Sequence, residues 1–253
     1  MSALAAASGH APQSGAAASM QAAVLTGAGR IEVRSVLVPA PGPREVRVRL
    51  EACGVCASNL GPWAGPEWMQ FPTEPGALGH EGWGVLDAVG EEVRGLEPGQ
   101  RVAALSYHAY AQYDIADQAA VVPLPAAIAG LDLPGEPLGC AMNIFSRSGI
   151  AAGQTVAIVG IGFLGALLTQ LAARAGACVL AISRRPFSLA VARRCGASEI
   201  IPMDDHWRII ETVKALTKDR LCDCVIEAVG KQWPLDLAAE LTRERGRLVV
   251  AGY

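Results

Sequence analysis

The chain has 253 residues, 51% of them apolar, and 24 acidic against 21 basic side chains give a formal net charge of −3. That is enough chain for one large or two medium domains with a sizeable core, without the basic excess that nucleic-acid binding needs or a charge block that would act as a solvating tail. The most apolar stretch, Val156 to Leu168, is broken by Thr169 and Gln170, too short for a membrane-spanning helix, and 7 cysteines scattered over so long a chain predict thiols or metal ligands in a reducing compartment, the cytoplasm, rather than a disulfide framework.

Residues 1 to 20 are mostly Ala, Ser and Gly, with no basic n-region and no apolar core of a secretory signal; they read as a disordered tail. From Met20 to about Ala126 the pattern becomes short alternating runs between Gly and Pro. Glu45 to Glu51 alternates strictly, and Gly84 to Gly90 and Arg101 to Leu105 are further strand patterns, with the turn Glu97-Pro98-Gly99-Gln100 between them. A β-rich domain without a nucleotide fingerprint is expected over residues 21–149.

Two short motifs stand out in it. Cys53-Gly54-Val55-Cys56-Ala57-Ser58-Asn59 has a Cys-x-x-Cys pair, but no second pair follows at zinc-ribbon spacing and no thioredoxin-like context surrounds it. Gly79-His80-Glu81-Gly82 has no second His four residues on. Taken separately, each fits an ordinary structural pair.

From about Ile150 the chain alternates strand and helix. Strands are expected at Thr155–Val159, Cys178–Ser183, Glu199–Pro202, Cys222–Val229 and Arg247–Tyr253, with helices at Phe187–Cys195, His206–Lys218 and Leu235–Arg245. This predicts a doubly wound parallel sheet over residues 150–253. Cys222 and Cys224, two apart in a strand, are expected to face one side as core. The first strand runs into Gly160-Ile161-Gly162-Phe163-Leu164-Gly165, a Gly-x-Gly-x-x-Gly turn before a helix. In such a turn the first glycine permits the bend, the second admits a pyrophosphate, and the third lets helix and strand pack closely. The helix N-terminus then presents free N–H groups and its positive dipole end to the phosphates. The second strand ends in Ser183-Arg184-Arg185, where an NAD enzyme usually carries Asp or Glu. Serine and arginine donate to a 2′-phosphate that a carboxylate would repel, so NADP(H) is expected over NAD(H).

In combination, Gly-Val-Cys-x-Ser, then Gly-His-Glu-Gly, then Glu136-Pro137-Leu138-Gly139, then the dinucleotide turn resemble the medium-chain, zinc-dependent alcohol and polyol dehydrogenase family, over nearly the whole chain after Met20. The resemblance implies a GroES-like β-rich catalytic domain followed by a Rossmann sheet, here truncated at its fifth strand. It implies one catalytic zinc, with Cys56 and His80 as ligands, Glu81 bound to the metal or just behind it, and Glu136 as the third protein group. Cys53 matches a non-ligand position. Cys140 is a rival to Glu136, but lies one helical turn too late and reads as a helix-packing thiol. Ser58 matches the hydroxyl that passes the alcohol proton toward solvent. Asn59 departs from the family, which usually has Asp there, hydrogen-bonded to the zinc-ligand His; Asn can accept through its carbonyl but brings no charge. Val229 and Gly230, ending the fourth strand, match positions beside the nicotinamide half of the cofactor. No cysteine lies between Gly82 and Gly139, so the family's four-cysteine lobe is absent and no structural zinc is expected.

The reading is an NADP(H)-linked, zinc-dependent oxidoreductase acting on a small-molecule secondary alcohol or polyol and its ketone, with neither nucleic acid nor membrane as partner. Alternatives are a non-catalytic NADP-binding remnant and a zinc-free quinone or enoyl reductase of the same superfamily. The chain stops on its fifth strand, where the family continues. Either the sequence is a fragment or the protein lacks part of its substrate cleft and its usual subunit contact; Arg247 to Ala251 is then expected as an unpaired, aggregation-prone edge, with homo-oligomer formation reserved for a longer parent.

Overall fold

The computed structural model describes residues 18–252. Most of the expected tail lies outside that span, and its last two residues, Ser19 and Met20, already belong to a strand. The chain divides into two compact units, residues 1–132 and 133–253.

The first unit is built from strands β1 (Ser19–Gly27), β2 (Arg30–Leu37) and β3 (Glu45–Cys53), the one-turn helix α1 (Leu60–Ala64), then β4 (Gly82–Val89), β5 (Arg101–Ala104), β6 (Tyr113–Asp117) and β7 (Val121–Pro123). β1 and β2 form an antiparallel hairpin around Gly29, whose φ of 66° suits glycine. The other five strands form one antiparallel sheet in the order β6-β3-β4-β5-β7. Alternation along β3 turns Val46 and Val48 inward, where they meet Leu86, Val102, Ala104 and Ala116 in a dry core. Gly84 is required within β4, because a Cβ there would strike the Arg49 carbonyl of the paired strand.

The second unit opens with α2 (Gly135–Ser148), which packs on the helix after the glycine turn. The contact division therefore precedes α2, whereas residue 149, where the sequence pattern divides the chain, is the left-handed cap that ends it. There follow β8 (Thr155–Val159), α3 (Phe163–Arg174), β9 (Cys178–Ser183), α4 (Pro186–Arg194), β10 (Glu199–Pro202), α5 (His206–Thr217), β11 (Cys222–Glu227), α6 (Gln232–Leu241) and β12 (Thr242–Val250). The five strands are parallel, in the order β10-β9-β8-β11-β12. This is the Rossmann-type arrangement, with the strand order reversing on either side of β8. Side chains alternate between two cores. Ala157, Val159, Leu180 and Ile182 pack on α5 and α6, while Val156, Ile158, Val179 and Ala181 pack on α3 and α4. Central strands covered on both faces read as continuous apolar runs, which is why β8 and β9 have the expected bounds; β10, an edge strand with only Ile201 buried, keeps its expected bounds as well.

The last third corrects three expectations. β11 ends at Glu227 rather than Val229, because the chain turns there. α6 ends at Leu241 and β12 begins at Thr242, five residues earlier than the apolar pattern indicates. Thr242 pairs with Cys222 and pairing resumes only at Arg247 with Cys224, so residues 243–246 form a bulge in which Arg245 takes φ 57°. The same irregularity separates the two cysteines. Cys222 enters the α5/α6 core and Cys224 the α3/α4 core, on opposite faces rather than one. Both are buried, and burial pushes their thiols up to about 12 and about 11.

Leu168 on α3 is fully buried, whereas Leu216 on α5 is largely exposed. Leu168→Ala is expected to lower unfolding free energy by about 2–5 kcal/mol and Leu216→Ala by about 0.5 kcal/mol or less; urea titrations of the two variants test this.

Candidate active site

The pairing of β3 with β4 assembles the first site. Cys53 at the end of β3 is opposite Gly82 at the start of β4. Just beyond that pair the two strands hand over to the motif-bearing loops, and the Gly54 N–H donates to the Glu81 carbonyl at 3.1 Å. Cys56 then precedes a 3-10 turn, Ala57–Asn59, closed by the Asn59 N–H on the Cys56 carbonyl at 3.1 Å. One ligand atom each from Cys56, His80 and Glu81 all lie within 4.8 Å of one another. Glu81 is buried, and Cys56 and His80 are half-buried. A Cβ on Gly54 would overlap the Glu81 carboxylate, so glycine at this position lets the carboxylate close on the trio.

The hydrogen bonding suits a metal. His80 Nδ1 is 2.9 Å from the Leu78 carbonyl, which can only accept, so Nδ1 is the donor in this bond and Nε2 is the ring nitrogen left to serve a metal. Thiolate, imidazole and carboxylate are a donor set that zinc accepts, with a fourth position open in catalytic sites. Cys53 stands apart from the trio: its thiol donates to the Gly54 carbonyl at 3.3 Å, and burial, reinforced by the nearby Glu81 charge, pushes it up to about 11.

Ser58 is half-buried on the 3-10 turn. Asn59 Nδ2 donates to the Leu78 carbonyl at 2.9 Å, and its Oδ1 accepts from the Tyr110 hydroxyl at 3.0 Å, so its carbonyl does not receive the His80 proton. Glu136 and Cys140 lie one turn apart on α2, in the second unit. Cys140 is exposed rather than packed, and its thiol donates to Glu136 Oε1 at 2.8 Å.

The second site is the turn after β8. Gly160 has φ 99°, and a Cβ there would strike Val229. Gly162, at the N-cap of α3, has open space where its Cβ would be. A Cβ on Gly165 would strike the Gly160 carbonyl. The three glycines thus have three different physical reasons, those of a phosphate-cradling turn. Phe163 and Leu164 form the first turn of α3, Phe163 exposed and Leu164 packed against the core. Ser183 is buried at the end of β9, its carbonyl accepting from Met203 N at 3.0 Å, while Arg184 and Arg185 are exposed. A separate cavity of about 510 Å³ opens at the opposite, amino-terminal end of β8 and β11, lined by Thr155, Asp219, Asp223 and Arg243, and holds none of these residues.

Glu227 falls inside the expected strand Cys222–Val229, yet it builds the turn that carries Val229 and Gly230. Its fully buried carboxylate accepts from Val229 N at 2.7 Å and Gly230 N at 3.0 Å. An acidic residue closing an apolar strand ahead of Val-Gly is the signal. Tyr110 and Leu78 carried none.

A GroES-like β unit followed by a Rossmann unit is the architecture of a medium-chain dehydrogenase. Residues 42–142 match the family described as alcohol dehydrogenase GroES-like domain, and residues 164–253 that described as zinc-binding dehydrogenase. The chain is 30% identical to an alcohol dehydrogenase of Rhizobium meliloti (strain 1021), over 92% of this chain and 77% of that protein. It is 26% identical to a sorbitol dehydrogenase of Bacillus subtilis (strain 168), over 92% of this chain and 75% of that protein. A solved Sinorhizobium meliloti 1021 protein, described as a zinc-binding dehydrogenase and bound to NADP, superposes with a TM-score of 0.79 at 28% identity, covering 93% of this chain and 77% of that one. The chain belongs to the medium-chain, zinc-type alcohol and polyol dehydrogenase family. It spans 57–77% of the length of the curated relatives it matches. No helix among the described residues is long and apolar enough to cross a membrane.

Because Glu227 is buried and holds two backbone N–H groups, Glu227→Ala is expected to cost about 1–3 kcal/mol in urea unfolding. An unchanged midpoint would mean that the turn is held by other contacts.

Proposed function

We propose that this chain is the zinc- and NADP(H)-dependent oxidoreductase part of an alcohol or polyol dehydrogenase, interconverting a secondary alcohol or polyol with its ketone. The observation that carries the reading is the convergence of Cys56, His80 and Glu81 on one point of a GroES-like unit, in a chain that also has a three-glycine turn opening a helix. Cys56 Sγ, His80 Nε2 and the Glu81 carboxylate would hold the metal, with Glu136 as a further acidic group supplied by the family resemblance. A zinc ion there supplies a Lewis acid toward an alcohol or carbonyl oxygen. Ser58, on the turn that follows Cys56, would pass the alcohol proton toward solvent.

Gly160, Gly162 and Gly165 would admit the pyrophosphate of the cofactor to the N-terminus of α3. Val229 and Gly230, fixed by Glu227, would border the nicotinamide half. Ser183, Arg184 and Arg185 support NADP(H), since no carboxylate stands there to repel a 2′-phosphate and two exposed guanidinium groups can pair with it.

Elemental analysis of the purified chain is expected to give about one zinc per chain, lost in Cys56→Ala and retained in Cys53→Ala. No zinc in the wild type, or full retention in Cys56→Ala, would refute the metal assignment. NADPH is expected to bind more tightly than NADH by about 1.5–3 kcal/mol, the worth of hydrogen bonds to charged groups. Fluorescence titration of Arg184→Ala/Arg185→Ala should erase most of that difference, and equal wild-type affinities would contradict it.

A further inference from the structure

Around the metal trio the described chain carries a hydrogen-bonded relay that the reaction chemistry does not itself call for. The Leu78 carbonyl accepts twice, from His80 Nδ1 and from Asn59 Nδ2, each at 2.9 Å. Asn59 Oδ1 accepts from the Tyr110 hydroxyl at 3.0 Å, and the same hydroxyl lies 3.3 Å from the Gly54 carbonyl. The amide has one consistent orientation. A carbonyl oxygen cannot donate, so the NH₂ end must face Leu78, and the oxygen end must then face Tyr110, which donates. Leu78 is also the one non-glycine residue of the described first unit with positive φ, at 75°. That left-handed backbone is held from both sides. The Gly76 and Gly79 carbonyls accept from Tyr110 N at 3.1 Å and Ala109 N at 3.0 Å, and a Cβ on either glycine would strike the 108–110 backbone. The segment 76–80 is therefore clamped against 108–110, with the Leu78 carbonyl between the imidazole and the amide.

We infer that Asn59 is a positioning residue for His80 that acts through the Leu78 carbonyl, and that the site requires an amide there because only a donor can share that oxygen. The Asn59 side chain is hydrogen-bonded to Leu78 and Tyr110, and only its backbone N–H meets a trio residue, at the Cys56 carbonyl. The bond to Leu78 holds that residue's carbonyl in place, the carbonyl fixes the Nδ1–H tautomer and the ring plane, and Nε2 is thereby aimed. A carboxylate at position 59 would oppose two acceptor oxygens at 2.9 Å and could not make the bond. The Tyr110 hydroxyl stays a donor throughout the working pH range, since burial, with the nearby Cys53, Glu81 and Cys56 charges, pushes it up to about 12. Outer-shell partners of this kind change metal affinity by about 10–100-fold when removed.

The inference rests on the metal reading above, so the experiment separates the two. Zinc affinity of the full chain is measured by competition with a chromophoric chelator for wild type, Cys56→Ala, Asn59→Asp, Asn59→Ala and Tyr110→Phe, each with a thermal melt. In the metal-free proteins, ¹⁵N chemical shifts report the His80 tautomer. Asn59→Asp and Asn59→Ala are expected to weaken zinc about tenfold or more and to populate the other His80 tautomer. Tyr110→Phe, which keeps its shape, should fold normally and weaken zinc by a smaller factor. If Cys56→Ala binds zinc as the wild type does, the metal reading fails. If Cys56→Ala loses zinc while Asn59→Asp keeps wild-type affinity and the Nδ1–H tautomer, the metal reading stands and the relay is refuted. Should an Asn59 variant unfold, Tyr110→Phe decides alone: wild-type affinity and tautomer in that variant refute the relay.

Discussion

The first unit depends on the register of β3 with β4. Cys53 opposite Gly82 is the last pair before both strands open into loops, and the Gly54 N–H on the Glu81 carbonyl extends it by one bond. In an antiparallel pair a slip of one residue sends every side chain to the other face. Here a slip of β3 would carry Val46 and Val48 out of the core. The core therefore sets the register, and the register sets the distance between Cys56 and His80, which are 24 positions apart in sequence. The local glycines follow from this closure. Gly76, Gly79 and Gly84 leave out a Cβ that would strike a neighbouring backbone, and Gly54 leaves out one that would strike the Glu81 carboxylate.

The second unit uses the same device around its own turn. Gly160 admits Val229, Gly165 admits the Gly160 carbonyl, and Gly252 admits the backbone of Val229 and Gly230. The loops after β8, β11 and β12 are thereby stacked at the carboxyl ends of the strands, where ligands bind in open α/β sheets. Glu227 is the polar counterpart of those contacts. A buried carboxylate needs hydrogen-bond donors in place of water. Val229 N and Gly230 N supply them. In return the carboxylate fixes the direction of a turn that could otherwise swing.

What the sequence makes legible follows the range of the forces involved. β8 and β9 are apolar runs buried on both faces, a local property of the sequence, and their bounds are read directly. The three-glycine turn is equally local. The bulge at residues 243–246 is not, because it exists only through the pairing of Thr242 and Arg247 with β11. Without it, the helical pattern of α6 runs on to Arg245 and the two cysteines of β11 fall on one face. Cys140 is another such case: residue spacing gives its place on α2, but its hydrogen bond to Glu136 and its exposure depend on what covers that helix. At the metal trio, residue types and motif order name Cys56, His80 and Glu81, yet nothing near position 59 in the sequence indicates Tyr110, 51 residues downstream.

Asn59 shows how the two levels meet. In the sequence it is a loss, an uncharged residue where the family usually has a carboxylate. In the fold that vacancy of charge is matched by the surroundings. A carboxylate at position 59 would add an acidic side chain beside a trio that already contains Glu81, and it could not donate to the Leu78 carbonyl. The amide instead joins two neutral groups, a phenol and a peptide carbonyl, and passes orientation without adding charge. Orientation of the imidazole then rests on the backbone carbonyl of Leu78, in the segment 76–80 that is clamped against 108–110.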